Sequence, residues 1–168
     1  MITTEKLKSL ADGLLSEVIS FRRHLHAHPE LSFEEYQTSA FIEEQLKKEG
    51  IPYRTGYVKT GIVGLIKGRN PGRKVVALRA DMDALPVTEQ NDVDYRSKIE
   101  GKMHACGHDA HMATLLGVAK LLNALKDEMD GTVLLVFQPA EEKLPGGAQQ
   151  MIGEGAFSDP TPDIIIGQ

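Results

Sequence analysis

Two apolar runs in this 168-residue chain end in pairs of acids, and that arrangement narrows the fold more than any other feature. Val75-Val76-Ala77-Leu78 is apolar at every position and leads through Arg79 and Ala80 into Asp81-Met82-Asp83. Thr132 to Phe137 is a second continuous run, and it leads through Gln138-Pro139-Ala140 into Glu141-Glu142. A strand that is apolar on both faces belongs inside a sheet covered on both sides. Segments with helical spacing alternate with these runs, which predicts an α/β fold with a mainly parallel sheet. In such sheets chemistry collects where the chain leaves the carboxyl ends of the strands. Paired carboxylates at those exits are costly unless a cation neutralises them.

The stretch between the acid pairs adds the other ligand types. Met103-His104-Ala105-Cys106-Gly107-His108-Asp109-Ala110-His111-Met112 holds the only cysteine and three of the six histidines. Thiolate, imidazole and carboxylate are the groups that bind a divalent transition metal such as Zn²⁺ or Mn²⁺. Gly107 lets the chain turn sharply, so that Cys106 and His108 can aim at one point. Met112, Leu115, Leu116, Val118, Ala119, Leu121 and Leu122 follow at helical spacing. The cluster therefore precedes a helix N-terminus, whose free N–H groups favour a thiolate at Cys106. Taken singly, Cys106 reads as a small core residue and the histidines as polar surface. Taken with two acid pairs at strand exits, they read as a metal site. A nucleophilic Cys106 activated by a histidine is the rival chemistry. Its spacing is against it, because nucleophile and base usually come from separate parts of a chain.

The remaining elements follow from pattern and punctuation. A helix is expected from Glu5 to about His28, stopped by Pro29, with its basic end suited to the helix dipole. His24 and His28, one turn apart, read there as a solvated helix end rather than a chelating pair. Ser32-Phe33-Glu34-Glu35 has the form of a capping box opening a second helix, which closes at Gly50. Strands are expected at Tyr53–Thr55, Gly61–Lys67, Lys74–Arg79 and Asp163–Ile166, with Asn70-Pro71-Gly72 as a hairpin turn. Residues 88–102 read as an irregular loop, residues 110–126 as a helix, and Pro145-Gly146-Gly147-Ala148 as a turn into a short helix.

An apolar content of 41% is enough for the core of one domain. A net charge of −5 gives no sign of a nucleic-acid surface. One cysteine excludes an internal disulfide and suits a reducing cytosol. With neither a membrane-length apolar run nor a signal peptide, the expectation is a cytoplasmic protein.

Four segments, taken together and in order, resemble one known family. Arg23-His24-Leu25-His26-Ala27-His28-Pro29-Glu30-Leu31, Arg79 to Pro86, Met103 to His111, and Gln138 to Glu142 are similar to the motifs of the M20 metallopeptidases. The match is to the amidohydrolase branch: aminoacylase- and hippurate-hydrolase-like enzymes, N-acetyldiaminopimelate deacetylase and the plant auxin-conjugate hydrolases.

The resemblance implies a three-layer αβα zinc-peptidase-like catalytic domain with a mainly parallel mixed sheet. Residues 1–168 would be its N-terminal part, truncated before the lid or dimerisation domain and before later ligand histidines. Cys106, His108 and Glu142 match metal ligands, and Glu141 matches the general base. Asp83 matches an acid that orients a ligand, while Asp81 stands where the wider family has a ligand histidine. The division of work between Asp81 and Asp83 stays open. Asp109 and His111 are assigned supporting roles, and the substrate-binding residues are unknown.

The implied cofactor is one or two divalent ions: Zn²⁺, Mn²⁺, Co²⁺ or Ni²⁺. The implied reaction is hydrolysis of the amide bond of N-acyl amino acids or small peptide-like amides. Neither nucleic acid nor membrane is an expected partner, and a homodimer is expected of the full-length parent. Without the later ligands the chain alone is expected to be inactive. The alternative is an incomplete fragment that serves only as a metal- or partner-binding module.

Overall fold

Thr3 opens the first helix by accepting a hydrogen bond from the Lys6 N–H on its hydroxyl (3.2 Å). That helix, α1 (Thr4–Ala27), is followed by α2 (Tyr36–Lys48), β1 (Tyr53–Tyr57), β2 (Gly61–Lys67) and β3 (Val75–Asp81). Next come α3 (His108–Leu125), a 3₁₀ turn (Lys126–Glu128), β4 (Thr132–Gln138), α4 (Gly147–Gly153) and β5 (Ile164–Gly167). This computed structural model describes residues 2–167, so Met1 and Gln168 lie outside the described residues.

The strands form one mixed sheet in the order β1-β2-β4-β3-β5. Strand β3 runs parallel to β4 and β5, while β2 runs antiparallel to β1 and β4. Side chains alternate along β4 with the period of a strand. Leu135 and Phe137 join Phe21, Leu25, Ile42 and Leu116 from the three long helices on one face. Leu134 and Val136 join Val63, Ala77, Met151 and Ala156 on the other face, under α4 and the turn after it. Both faces are covered, giving the three-layer α/β arrangement. Residues 88–102 are irregular, as expected.

Two local expectations are corrected. Asn70-Pro71-Gly72 does turn the chain, but not into a hairpin, because β4 lies between β2 and β3. The turn's carbonyls are taken by the entry to β4 instead: Gly131 N–H donates to Asn70 O (3.0 Å) and Thr132 Oγ1 to Pro71 O (2.9 Å). Burial accompanies this order, since the long apolar run of β4 is the most completely buried strand and takes the centre. Gly131 must be glycine for this entry, with φ +91° and no room for a Cβ against the Lys74 carbonyl.

The capping box is also absent. Helix α2 starts at Tyr36, Glu35 occupies the N-cap position, and its side chain makes no capping bond. Glu30 does that work, accepting from Gln37 N (3.1 Å) and Thr38 N (2.8 Å) with its two carboxylate oxygens. A carboxylate at a helix N-terminus is favoured by the dipole. Ser32 and Glu35 are thereby released to point toward the strand exits.

Candidate metal centre

The parallel register places Asp81, the last residue of β3, beside Gln138, the last of β4. The chain beyond each strand, carrying Asp83 on one side and Glu141-Glu142 on the other, therefore leaves at the same end of the sheet. Helix α3 brings its N-terminus to that end. Gly107 precedes it with φ +90°, a conformation that glycine adopts freely, and this turn carries Cys106 back toward His108.

Cys106, His108 and Glu142 each offer a ligand atom within 4.8 Å of the other two. Asp81, His108 and His111 form a second such group. The two groups share His108. Its Nδ1 lies 2.9 Å from the Asp83 carbonyl, an acceptor only, so Nδ1 carries the proton and donates. That leaves Nε2 to face the acids, 3.5 Å from Asp81 Oδ2 and 3.9 Å from Glu142 Oε1. A neutral imidazole held in this tautomer is the form that ligates a metal.

Asp81 is already engaged. Arg79 Nη1 donates to its Oδ2 (2.6 Å), and His111 Nδ1 lies 2.7 Å from its Oδ1. Asp83 sits beneath the site with almost no exposure and accepts from Ser32 Oγ (2.6 Å), Glu141 N (3.0 Å) and Glu142 N (2.9 Å). Burial works against its charge. The hydrogen bonds from His108, Ser32 and the Glu142 and Glu141 N–H groups outweigh that and hold the carboxyl well below the usual carboxylate range. Glu141 and Glu142 are exposed, and Glu141 is tied to the site through its backbone.

A layer of buried charge lies next to this. His26 joins Asp109 (Nδ1 to Oδ2, 2.7 Å) to Glu89 (Nε2 to Oε1, 3.0 Å), and Arg22 Nε reaches the same Asp109 oxygen at 2.8 Å. Burial opposes the Glu89 charge too, but Ser97 N–H, His26 and Asn91 lower its carboxyl to about 2. His104, buried beside this layer, is pushed down to about 4 by burial.

The expected thiolate needs correction. Burial, together with Glu142, Asp81 and Glu141, raises the Cys106 thiol above its ordinary value. Loss of solvation comes first and the acids facing the sulfur second, and both act against the thiolate. Burial alone would lower His108, yet Asp83 and Asp81 raise it. A thiol, an imidazole and several carboxyl groups at one point form a donor set suited to a divalent transition metal, which would displace the thiol proton.

The structure thus brings Cys106, His108 and Glu142 together, with Glu141 adjacent in the chain, Asp83 below and Asp81 beside His111. His24 and His28 lie apart from this group: His28 Nδ1 bonds the His24 carbonyl (2.8 Å), and His24 stacks on Phe41. Sequence reasoning missed Ser32, Glu35 and Thr60. Glu35 is fully buried and accepts from Thr60 Oγ1 (2.8 Å) and Ala140 N (2.8 Å). Only the unusual burial of an acid marks it.

Residues 77–168 match the profile of peptidase family M20/M25/M40. The chain belongs to peptidase family M20/M25/M40. The N-acyl-L-amino acid amidohydrolase of Geobacillus stearothermophilus is 47% identical over 166 residues, covering 99% of this chain and 44% of that protein. The N-acetyl-L-cysteine deacetylase of Bacillus subtilis is 47% identical over 154 residues, covering 92% of this chain and 36% of its own length. Among solved structures, the Bacillus subtilis YXEP protein superposes with a TM-score of 0.85 at 43% identity, covering 95% of this chain and 43% of that one. It is described as a dinuclear metal-binding peptidase of the M20 family. This M20 chain therefore spans less than half the length of these relatives.

Proposed function

We propose that residues 1–168 are the N-terminal part of the catalytic domain of a metal-dependent amidohydrolase, which hydrolyses N-acyl amino acids or small peptide-like amides. One observation carries this reading: Cys106, His108 and Glu142 converge within 4.8 Å while Glu141 follows the same strand exit. The names of the Geobacillus and Bacillus relatives, an N-acyl-amino-acid amidohydrolase and an N-acetylcysteine deacetylase, support the substrate class.

In this reading Cys106, His108 and Glu142 hold one or two divalent ions, Zn²⁺, Mn²⁺, Co²⁺ or Ni²⁺, with further ligands from outside these residues. Bound there, the metal supplies Lewis-acid polarisation of the amide carbonyl and acidifies water. Glu141 takes the proton of the attacking water and returns it to the leaving nitrogen. Asp83 holds the Glu141 and Glu142 N–H groups, so base and ligand keep a fixed spacing. Its backbone carbonyl keeps His108 in the ligating tautomer. Asp81, paired with Arg79 and His111, shapes the charge around His108 without serving as the base.

No described helix is long and apolar enough to cross a membrane, and the reading places the protein in the cytoplasm, where a lone thiol stays reduced. A non-catalytic module is the second reading. One observation favours it: Ile164, Ile165 and Ile166 are exposed on the open edge formed by β5.

The test is a chimera in which residues 1–168 replace the matching part of the Geobacillus amidohydrolase. It is expected to release amino acid from N-acetyl amino acids, to stop on chelation, and to lose about 10²–10⁴-fold in kcat with Glu141→Gln. Undiminished turnover by the Glu141→Gln chimera contradicts the assignment. Chelator-resistant activity abolished by Cys106→Ser supports a cysteine hydrolase instead.

A further inference from the structure

Three consecutive backbone N–H groups, those of Ala140, Glu141 and Glu142, are captured by two buried carboxylates. Asp83 takes the second and third, at 3.0 and 2.9 Å, as described above. Glu35 takes the first, at 2.8 Å, from the opposite side of the loop. Ala140 is fully buried and has φ +50°, a left-handed conformation that an alanine seldom adopts. Something must hold it there. Its carbonyl is fixed by the Gly147 N–H (2.8 Å), at a residue where a Cβ would collide with the Pro139 carbonyl. Its N–H is fixed by Glu35.

Glu35 is an expensive way to make that bond. It is a fully buried acid, and no Lys, Arg or His pairs with it among the described residues. Thr60 Oγ1 is the side chain that steadies its second oxygen (2.8 Å). The capping position it occupies on α2 is left without a side-chain bond, since Glu30 already supplies the helix N-terminus. A buried carboxylate that neither caps its helix nor pairs with a cation, yet grips the turn before the site glutamates, is placed for positioning.

We propose that Glu35 is a positioning residue for the site: through the Ala140 N–H it fixes the turn that sets the Glu141 and Glu142 side chains beside Cys106 and His108. Thr60 orients Glu35 and acts through it. The proposal rests on the reading that Glu142 holds a metal ion and Glu141 serves as base.

Two measurements on the 168-residue chain separate this proposal from that reading. The first is amide hydrogen exchange, followed residue by residue by NMR, in the wild type, Glu35→Ala, Glu35→Gln and Thr60→Val. Glu35→Ala is expected to speed exchange at Ala140, Glu141 and Glu142 at least about tenfold, with β2, β3 and β4 unchanged. Glu35→Gln, whose carbonyl oxygen can still accept from Ala140, is expected to restore protection. If Glu35→Ala does not fold, Thr60→Val carries the comparison, with a smaller rise at the same amides. Unchanged exchange there, or a uniform rise across the sheet, overturns the proposal.

The second measurement is Co²⁺ titration, read by Kd and by the Cys106 thiolate-to-Co²⁺ charge-transfer band. Affinity is expected to fall about 10–100-fold in Glu35→Ala and to recover in Glu35→Gln. Equal Kd and an identical band in wild type and Glu35→Ala overturn the proposal. A wild-type chain that takes up no Co²⁺ counts against the metal reading, while the exchange data still decide the role of Glu35.

Discussion

The exit end of the sheet has two layers of charge that differ in almost every physical respect. The outer layer, Cys106, Glu141 and Glu142, is exposed and ties itself down mainly through its backbone. The inner layer, Glu35, Asp83, Glu89, Asp109 and His26, is almost wholly buried and hydrogen-bonded. Water and a partner ion can reach the outer groups, whereas the inner groups have protein partners: one another, the backbone, and the side chains of Ser32, Thr60, Arg22 and Asn91. The difference teaches that one set is open to solvent and to ligands while the other is locked in place. A buried carboxylate that accepts several donors is rigid, because moving it orphans every donor at once.

The largest effect that sharpens this contrast is on stability. Asp83→Ala leaves Ser32 Oγ and the Glu141 and Glu142 N–H groups without their acceptor, and is expected to cost about 3 kcal/mol or more in urea denaturation. Cys106→Ala, in the outer layer, is expected to cost less than about 0.5 kcal/mol. Equal losses would erase the distinction between the layers. A smaller effect comes from His26→Leu, which strips Asp109 and Glu89 of their shared partner and is expected to cost about 2 kcal/mol. Arg22 still reaches Asp109 in that variant and limits the loss.

The next effect is on pH dependence. The Glu89 carboxyl is lowered from 4.5 to about 2 in the fold. Its contribution is present above pH 4.5 and is lost as pH falls toward 2. His104 is lowered from 6.5 to about 4, so stability also falls as the pH drops from 6.5 to 4, where the unfolded chain binds the proton first. His108 is raised and acts with the opposite sign: its contribution is present below pH 6.5 and is lost at higher pH. Urea midpoints of metal-free protein between pH 8 and 3 are expected to show the acid-side decline. His104→Leu is expected to flatten the part between pH 6.5 and 4 and to leave the lower part intact. A profile unchanged by His104→Leu would remove that histidine from the buried layer's electrostatics.

How much of this was legible in the sequence follows the same division. The buried strands and their acid exits were readable, because unbroken apolar runs have few places to go. The convergence of Cys106, His108 and Glu142 was readable from ligand chemistry and from the family motifs together. The inner layer was not. Asp83 meets an N–H 58 residues away, and nothing local announces that bond. Glu35 matches a capping box so well that its bond to the Ala140 N–H, 105 residues away, is hidden. The Cys106 thiol was misjudged for a related reason. The helix N-terminus is local and visible, while Glu142, which comes from beyond β4, is neither. The hairpin at Asn70 failed because turn residues fix where a chain bends, and burial of whole strands fixes which strands become neighbours.

The central claim is that Cys106, His108 and Glu142 hold metal. Equilibrium dialysis against Zn²⁺, followed by elemental analysis, tests it directly on the 168-residue chain and on a Cys106→Ala/Glu142→Ala variant. The account predicts about one equivalent or more per wild-type chain and its loss in the double variant. A double variant that retains the wild-type content, or a wild-type chain that retains none, contradicts it.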